Sequence, residues 1–109
     1  MKNSLKKFYE YLVSDEELMY YVRINVEWNE ESFNQMKQLV REVIKDYENE
    51  DYYPKLFVVY FMYNIPLIIN MLSHFKTCDE SMIAERIKQL EELRNEFIDS
   101  LWHARYYGG

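Results

Sequence analysis

The stretch LFVVYFMYNIPLIINMLSHF, from Leu56 to Phe75, is nearly unbroken apolar sequence in a chain of 109 residues. Pro54 precedes it, and a proline suits the first turn of a helix because its missing N–H needs no acceptor there. Pro66 removes the bond to the carbonyl of Met62, which predicts a kink or a break near Asn64. A helix that is apolar on every side is typical of a buried position. The stretch therefore predicts a buried, Pro-kinked fourth helix.

A membrane span is the alternative for this stretch, since about 20 apolar residues cross a bilayer. The polar residues Asn64, Asn70 and His74 interrupt the stretch, and no cluster of lysine and arginine flanks it to set an orientation. These features favour a central helix of a folded domain and make a membrane location the less favoured interpretation.

The composition predicts an all-α fold. The only glycines are Gly108 and Gly109, and the chain has two prolines, so the turn residues that hairpins require are almost absent. The length and the 49% of hydrophobic residues fit one domain with one core. We expect residues 1–109 to form a single helical domain, a four- to five-helix bundle.

Capping residues and apolar spacing predict where the helices lie. Ser14 with Glu17, and Thr77 with Glu80, have the spacing of capping boxes, and Asn29 is the predicted N-cap of the third helix. The predicted helices are Ser4–Val13, a second from Ser14 to near Glu27, Glu30–Glu48, Lys55–Phe75 and a last one from Thr77 to near Ala104, with residues 104–109 as a frayed tail. The clearest amphipathic face comprises Phe33, Met36, Val40, Val43 and Tyr47, and the last helix carries Ile83, Ile87, Leu90, Phe97 and Leu101.

The charge and the cysteine content indicate which class of partner and which cellular compartment to expect. The formal net charge of −6 disfavours nucleic acid, whose phosphates require clustered lysine and arginine, and favours a basic protein partner. The one cysteine, Cys78, cannot form an intrachain disulfide. The N-terminus has no apolar signal-peptide core. We expect a cytoplasmic protein.

Catalytic and metal-binding motifs are missing from the sequence. It has no glycine-rich phosphate loop, no His-Glu metalloprotease motif and no nucleophile elbow. His74 and Cys78 have a spacing of four, but His103 is the only further imidazole, and most metal sites need three or four ligands. We expect no catalytic residues, no metal and no cofactor, and therefore no enzyme.

Two acidic and aromatic clusters are the candidate binding residues. The segment from Asp46 to Tyr53 precedes the fourth helix and combines aromatic anchors with carboxylates that complement lysine and arginine. Its predicted partner-binding residues are Glu48, Glu50, Asp51, Tyr52 and Tyr53. The smaller cluster comprises Trp28, Glu30 and Glu31. The alternative, left open by the sequence, is that the tyrosines pack back on the core as its rim.

Short motifs resemble those of immunity proteins. Asp51-Tyr52-Tyr53-Pro54 is similar to the tyrosine-tyrosine-proline motif of nuclease-colicin immunity proteins, in which the tyrosines and flanking acids form the core of the toxin interface. The segment from Pro66 to Phe75 and the ending Tyr106-Tyr107-Gly108 resemble the immunity proteins of pediocin-like bacteriocins. Both resemblances imply a helical protein that neutralises a toxin by covering it.

Together these features predict a small acidic protein-binding inhibitor, an immunity protein or antitoxin that occludes a basic surface of a toxin or effector domain. The alternative function is that of a helical homodimer, a regulatory or accessory protein derived from a phage or mobile element. In that case Tyr9, Tyr20 and Tyr63 would close an apolar seam between two copies.

Overall fold

The computed structural model describes residues 1–75 and 79–106, and their side chains as far as Leu101. Within these residues the chain is all-α and has no strand, which confirms the predicted class. The α-helices are α1 (Asn3–Leu12), α2 (Leu18–Tyr20), α3 (Glu30–Asp46), α4 (Lys55–Val59), α5 (Ile65–Leu72) and α6 (Glu80–Tyr106), and π-helical segments lie at Tyr21–Asn25 and Tyr60–Asn64. Helices α4 and α5 and the π-helical segment between them form one continuous helix, Lys55–Leu72, here called the central helix.

Helix α3 follows its sequence pattern closely. The side chain of Asn29 caps it by accepting a hydrogen bond of 2.8 Å from the N–H of Ser32, as predicted. Its predicted inward residues are all buried: Phe33, Met36, Val40, Val43 and Tyr47. The helix ends at Asp46, two residues before the predicted end at Glu48.

The segment between α1 and α2 differs from the prediction. Helix α1 matches its predicted bounds to one residue, but the capping box at Ser14 is wrong. The Ser14 hydroxyl donates to the carbonyl of Tyr11 at 2.7 Å, and the carboxylate of Glu17 accepts from the N–H of Met19 at 3.1 Å. Helix α2 therefore begins at Leu18, whose own N–H donates to the Tyr11 hydroxyl. Both Ser14 and Leu18 thus bind Tyr11 in place of the predicted capping box.

The central helix is buried on one face only, which corrects the prediction of a buried fourth helix. One third of its 18 residues, 33%, are buried. The buried side chains are Phe57, Tyr60, Phe61, Ile65, Ile68 and Leu72. The opposite face, also apolar, is exposed. The rest of the small domain packs on one side of this helix, so the fold buries only part of the apolar surface of the helix.

Pro66 follows directly after a change in helical hydrogen bonding. The N–H of Ile65 donates to the carbonyl of Tyr60, five residues back, so the π-helical turn ends where the proline begins. Wide turns of this kind occur where the regular ladder is interrupted. Pro66 lies in the first turn of α5, where its missing N–H is tolerated. A kink at this proline stays a prediction.

Helix α6 begins later than predicted and extends further. Thr77, its predicted cap, lies outside the described residues. Just before the helix, the carboxylate of Asp79 accepts from the hydroxyl of Ser81 at 2.7 Å and from the N–H of Ser81 at 2.8 Å, and these two hydrogen bonds lower the pKa of that carboxyl. The helix continues to Tyr106, two residues past the predicted end at Ala104, and residues 107–109 are not described. Its buried residues are Leu90, Leu93 and Phe97.

The ring of Phe57 joins the parts of the core. It lies 5.3 Å from the ring of Phe8 in α1 and 5.5 Å from that of Phe97 in α6. The rings of Tyr53 and Phe61 lie 5.5 and 5.2 Å from it. Phe57 is fully buried. Aromatic pairs at these separations add to the burial of apolar area, so this one side chain links α1, α6 and the turn before α4.

Two buried tyrosine hydroxyls differ in their partners. The Tyr11 hydroxyl accepts from the N–H of Leu18 at 2.8 Å and lies within hydrogen-bond distance of the hydroxyl and the carbonyl of Ser32, at 2.9 and 3.1 Å. The Tyr60 hydroxyl is buried with no hydrogen-bond partner among the described residues. Burial raises the pKa of both phenols, that of Tyr11 to about 12.

Tyr11→Phe and Tyr60→Phe form a matched test of these hydroxyls. Tyr11→Phe should lower the free energy of unfolding by about 1–3 kcal/mol, because it leaves the buried N–H of Leu18 without its partner and removes the hydrogen bond to Ser32. Tyr60→Phe should change it by less than about 1 kcal/mol, or raise it, because no bond is lost. Denaturant unfolding measures both values. A larger loss for Tyr60→Phe than for Tyr11→Phe would contradict this account.

The raised pKa of Tyr11 also predicts alkaline unfolding. The phenol ionises near pH 10 in the unfolded chain but only near about 12 in the folded protein. The stabilisation is therefore fully present below about pH 10 and is lost as the pH rises from there towards 12. Urea unfolding at several alkaline pH values should show a shallower loss of stability in Tyr11→Phe than in the wild type. Equal slopes would show that Tyr11 does not contribute.

Candidate partner-binding surface

The acidic turn between α3 and α4 holds one paired and two unpaired carboxylates. Glu50 is partly buried and forms an ion pair of 3.1 Å with Lys2, whose pKa is raised by this hydrogen bond. Lys2 also donates to the carbonyl of Asp46. Glu48 and Asp51 are exposed and form no ion pair with any residue that the structure describes. These two carboxylates are open to a partner.

The two adjacent tyrosines of this turn have different surroundings. Tyr53 is half-buried: its ring stacks on Phe57, lies 5.0 Å from Phe97, and its hydroxyl lies 3.0 Å from that of Ser100. Burial raises the pKa of Tyr53. Tyr52 is exposed, and the centre of its ring lies 6.1 Å from that of the buried Tyr47 in an edge-to-face arrangement. Tyr53 thus forms the rim of the core, the alternative that the sequence left open, and Tyr52 faces solvent.

Tyr52 begins a row of exposed apolar side chains along the central helix. The exposed fractions are 62% for Tyr52, 65% for Leu56, 46% for Val59, 72% for Met62 and 64% for Tyr63. Within the helix, steps of three and four residues place the last four of these side chains on one face, and Tyr52 is exposed in the turn before the helix. We call these five residues the exposed apolar row. The sequence does not reveal this row, because a helix that is apolar on all sides gives no signal for which face is outward.

The central helix is also long and apolar enough to cross a bilayer, by length and composition alone. Its mean hydropathy over 18 residues is 1.5. The core helix of a water-soluble domain passes the same test when it is mostly buried, whereas this helix is one third buried. Its exposed apolar face is therefore a surface that some contact is expected to cover.

The smaller cluster around Trp28 is engaged within the protein. The indole N–H of Trp28 donates to the carboxylate of Glu30 at 2.8 Å, and Arg86 pairs with the same carboxylate at 2.7 Å. The Arg86 guanidinium lies 5.4 Å from the Trp28 ring, and that ring is 4.9 Å from Phe33. Glu31 is exposed. Trp28 and Glu30 thus serve a local network that joins α3 to α6.

The two predicted clusters lie at opposite ends of α3. Trp28 and Glu30 are at its N-terminus, and the acidic turn follows its C-terminus. A helix of 17 residues is about 25 Å long at 1.5 Å per residue. The structure therefore does not bring the eight predicted residues together at one point.

Metal binding has no support within residues 1–75 and 79–101, since no group of three or more His, Cys, Asp or Glu side chains there could hold an ion. Cys78, half of the His74–Cys78 pair, lies outside the described residues.

The chain matches no protein-family model, and comparisons with curated proteins and with solved structures found no match.

Alanine substitutions of the two tyrosines should separate their roles. Tyr53→Ala should lower the free energy of unfolding by about 2 kcal/mol or more, because it removes a ring from the aromatic core and leaves the Ser100 hydroxyl without this partner. Tyr52→Ala should change it by less than about 1 kcal/mol, as for other exposed side chains. Thermal melting of the two variants checks this, and equal losses would show that Tyr52 also belongs to the core.

Proposed function

We propose that this protein is a small acidic inhibitor of the immunity-protein or antitoxin type, which neutralises a toxin or effector domain by covering a basic surface of it in the cytoplasm. The observation that carries the proposal is the exposed apolar row beside the unpaired carboxylates Glu48 and Asp51. In the proposed arrangement the helices form a four- to five-helix bundle with Pro66 kinking the central helix.

The apolar row would supply most of the binding free energy. Burying apolar side chains stabilises a complex by roughly 25 cal/mol per Å² of apolar area removed from water. Tyr52 and Met62 are the strongest candidates, because aromatic residues and methionine are enriched at interface cores. Four residues of the row lie on one helix face, so its natural occupant is an amphipathic helix or a strand of the partner with apolar residues at matching intervals.

The carboxylates would supply orientation and speed of association. Glu48 and Asp51 lie in the turn at the Tyr52 end of the row, and the whole chain has a net charge of −6. A partner with lysine or arginine beside its apolar segment would be steered towards this end. Glu50 contributes less, because Lys2 already neutralises it. We therefore expect substitution of Glu48 or Asp51 to weaken partner binding more than substitution of Glu50 does.

A second candidate function is that of a homodimeric regulatory or accessory protein of phage or mobile-element origin. The exposed apolar row supports it, because the row is uncharged along its length and two copies related by a two-fold axis would bury it against itself. Tyr63 lies in the row; Tyr20 is exposed, and Tyr9 is half-buried against Phe8. Tyr20 and Tyr9 would extend the seam.

Comparative capture from a lysate of the host tests the proposal. The wild-type chain should retain one basic protein in equimolar amount. The variant Tyr52→Ala/Met62→Ala should weaken this binding at least about thirtyfold, the effect of losing an interface hot spot. Asp51→Lys should also weaken it, by placing like charges together. Quantitative mass spectrometry identifies the partner, and calorimetry with the purified pair measures its affinity.

Matched controls use exposed residues elsewhere on the chain. Val13→Ala removes an exposed apolar side chain after α1, and Asp15→Lys makes the same charge change as Asp51→Lys; both should bind as the wild type does. A partner retained equally by the row variant would overturn the proposed site. The homodimer would be favoured if the wild-type chain sediments as a dimer, Tyr52→Ala/Met62→Ala sediments as a monomer, and no basic partner is captured. A chain that needs detergent for solubility would favour membrane contact instead.

A further inference from the structure

A cavity of about 330 Å³ lies at the other end of α3 from the acidic turn. Three parts of the chain surround it: the segment before α3, the end of α5 and the first turns of α6. Its lining residues are Val26, Glu27, Trp28, Leu72, Phe75, Met82, Ile83 and Arg86. Pockets for small ligands usually begin at about 300 Å³. This cavity is therefore large enough for a small organic molecule.

The walls of the cavity are mostly hydrocarbon. Leu72 is buried, Trp28, Phe75 and Ile83 are half-buried, and the flexible side chain of Met82 is exposed at the rim. An enclosed apolar cavity of about half this volume binds benzene, and the present cavity has apolar walls but opens to solvent. The cavity can thus accept an aromatic ring or a short branched chain with room for a polar head.

Arg86 provides the one cationic group of the lining. It uses a single nitrogen, Nη1, for both Glu30 at 2.7 Å and Gln89 at 3.4 Å. Its Nε and Nη2 have no hydrogen-bond partner among the described residues. Glu30 therefore fixes the guanidinium on one side and leaves the Nε–Nη2 edge for another acceptor.

The same edge of another arginine in this protein holds a carboxylate. Nε and Nη2 of Arg41 donate to the two carboxylate oxygens of Glu96, at 3.0 and 2.9 Å. This fork is the geometry that a planar guanidinium offers to a carboxylate. Arg41 pairs with a side chain of its own protein, whereas Arg86 borders a cavity. Arg86 pairs with Glu30 through Nη1, and its Nε–Nη2 edge has the same fork geometry for the carboxylate of a ligand in the cavity that it lines.

Glu27 limits the charge of such a ligand. Its exposed side chain also lines the cavity, so a second negative charge on the ligand would face it. Like charges at close range are unfavourable. A single carboxylate bound at Arg86 avoids this repulsion better than a dicarboxylate does.

The backbone at the cavity wall is strained. Val26 has φ 52° and ψ 44°, the left-handed region, which is rare for a β-branched residue. Strain of this kind costs roughly 1–3 kcal/mol and clusters at ligand sites. The strained residue ends the π-helical segment Tyr21–Asn25 and directs the chain to Trp28, which forms the next part of the wall.

We propose that the cavity binds a small monocarboxylate with an apolar body, an aromatic or branched-chain acid. Its carboxylate lies on Nε and Nη2 of Arg86, and its body packs among Trp28, Phe75 and Ile83. The proposal goes beyond the inhibitor function and is independent of it, because the two sites share no residue: the exposed apolar row ends at Tyr63, and the cavity is lined by the later residues Leu72 and Phe75.

Titration with phenylbutyrate and with its neutral amide, phenylbutanamide, tests the site on the whole chain. Phenylbutyrate should bind saturably in calorimetry, shift the amide NMR signals of residues 26–28 and 82–86, and bind at least about tenfold more tightly than phenylbutanamide, the advantage of a charge-assisted pair. Equal affinity for the two probes, or no saturable binding of phenylbutyrate, would overturn the proposal.

Variants connect the binding to the cavity. Arg86→Gln should lower the affinity for phenylbutyrate at least about tenfold and leave that for phenylbutanamide within about twofold. Arg94→Gln, an exposed arginine on the same helix, should change neither. Ile83→Trp, which fills the cavity, should abolish both. If Arg86→Gln melts at a lower temperature, Arg86→Lys serves in its place, since it keeps the charge and loses the fork. Unchanged binding in Ile83→Trp would place the ligand elsewhere and overturn the proposal.

Discussion

The inward position of the Phe57 ring is the constraint on which the rest of the structure depends. It contacts rings from α1, from α6, from the turn before α4 and from its own helix. Once this ring faces the core, the rotation of the central helix is fixed, and Leu56 and Val59 must point outward. The aromatic core therefore determines the exposed apolar surface. A helix with apolar residues on every side thus acquires one buried face and one exposed face through packing rather than through sequence.

The ends of α3 differ in the kind of contact they offer. Its C-terminal end leads into a turn where Tyr52 is exposed and Asp51 is unpaired, a surface suited to a large partner. Its N-terminal end leads back to Trp28 and to a cavity suited to a small one. The ion pair between Glu30 and Arg86 lies at the N-terminal end of α3, and the ion pair between Glu50 and Lys2 lies at its C-terminal end. Separate sites of this kind can be altered one at a time, since residues so far apart have nearly additive effects.

The sequence predicted the fold where one face of a helix is apolar and the other polar. Helix α3 is the clearest case, from its cap at Asn29 to the buried Val43, because both local capping and periodicity act there. The central helix was predicted as a helix, but its exposed face was not. A uniformly apolar sequence has no alternation of apolar and polar residues to show which side chains face the core. Tyr52 and Tyr53 are identical neighbours, and only tertiary packing separates them. The capping box at Ser14 did not form, since the Ser14 hydroxyl donates to the carbonyl of Tyr11 and the N–H of Leu18 donates to the Tyr11 hydroxyl.

The left-handed backbone of Val26 has a consequence for the unfolded chain. The first 107 residues contain no glycine, so this positive φ falls on a valine at some cost to the folded state. The same absence of glycine narrows the conformations of the unfolded chain, and each glycine replaced by another residue at a compatible position is worth about 0.4–1 kcal/mol through this entropy. The fold thus accepts local strain at one residue, while the whole chain loses less freedom when it folds.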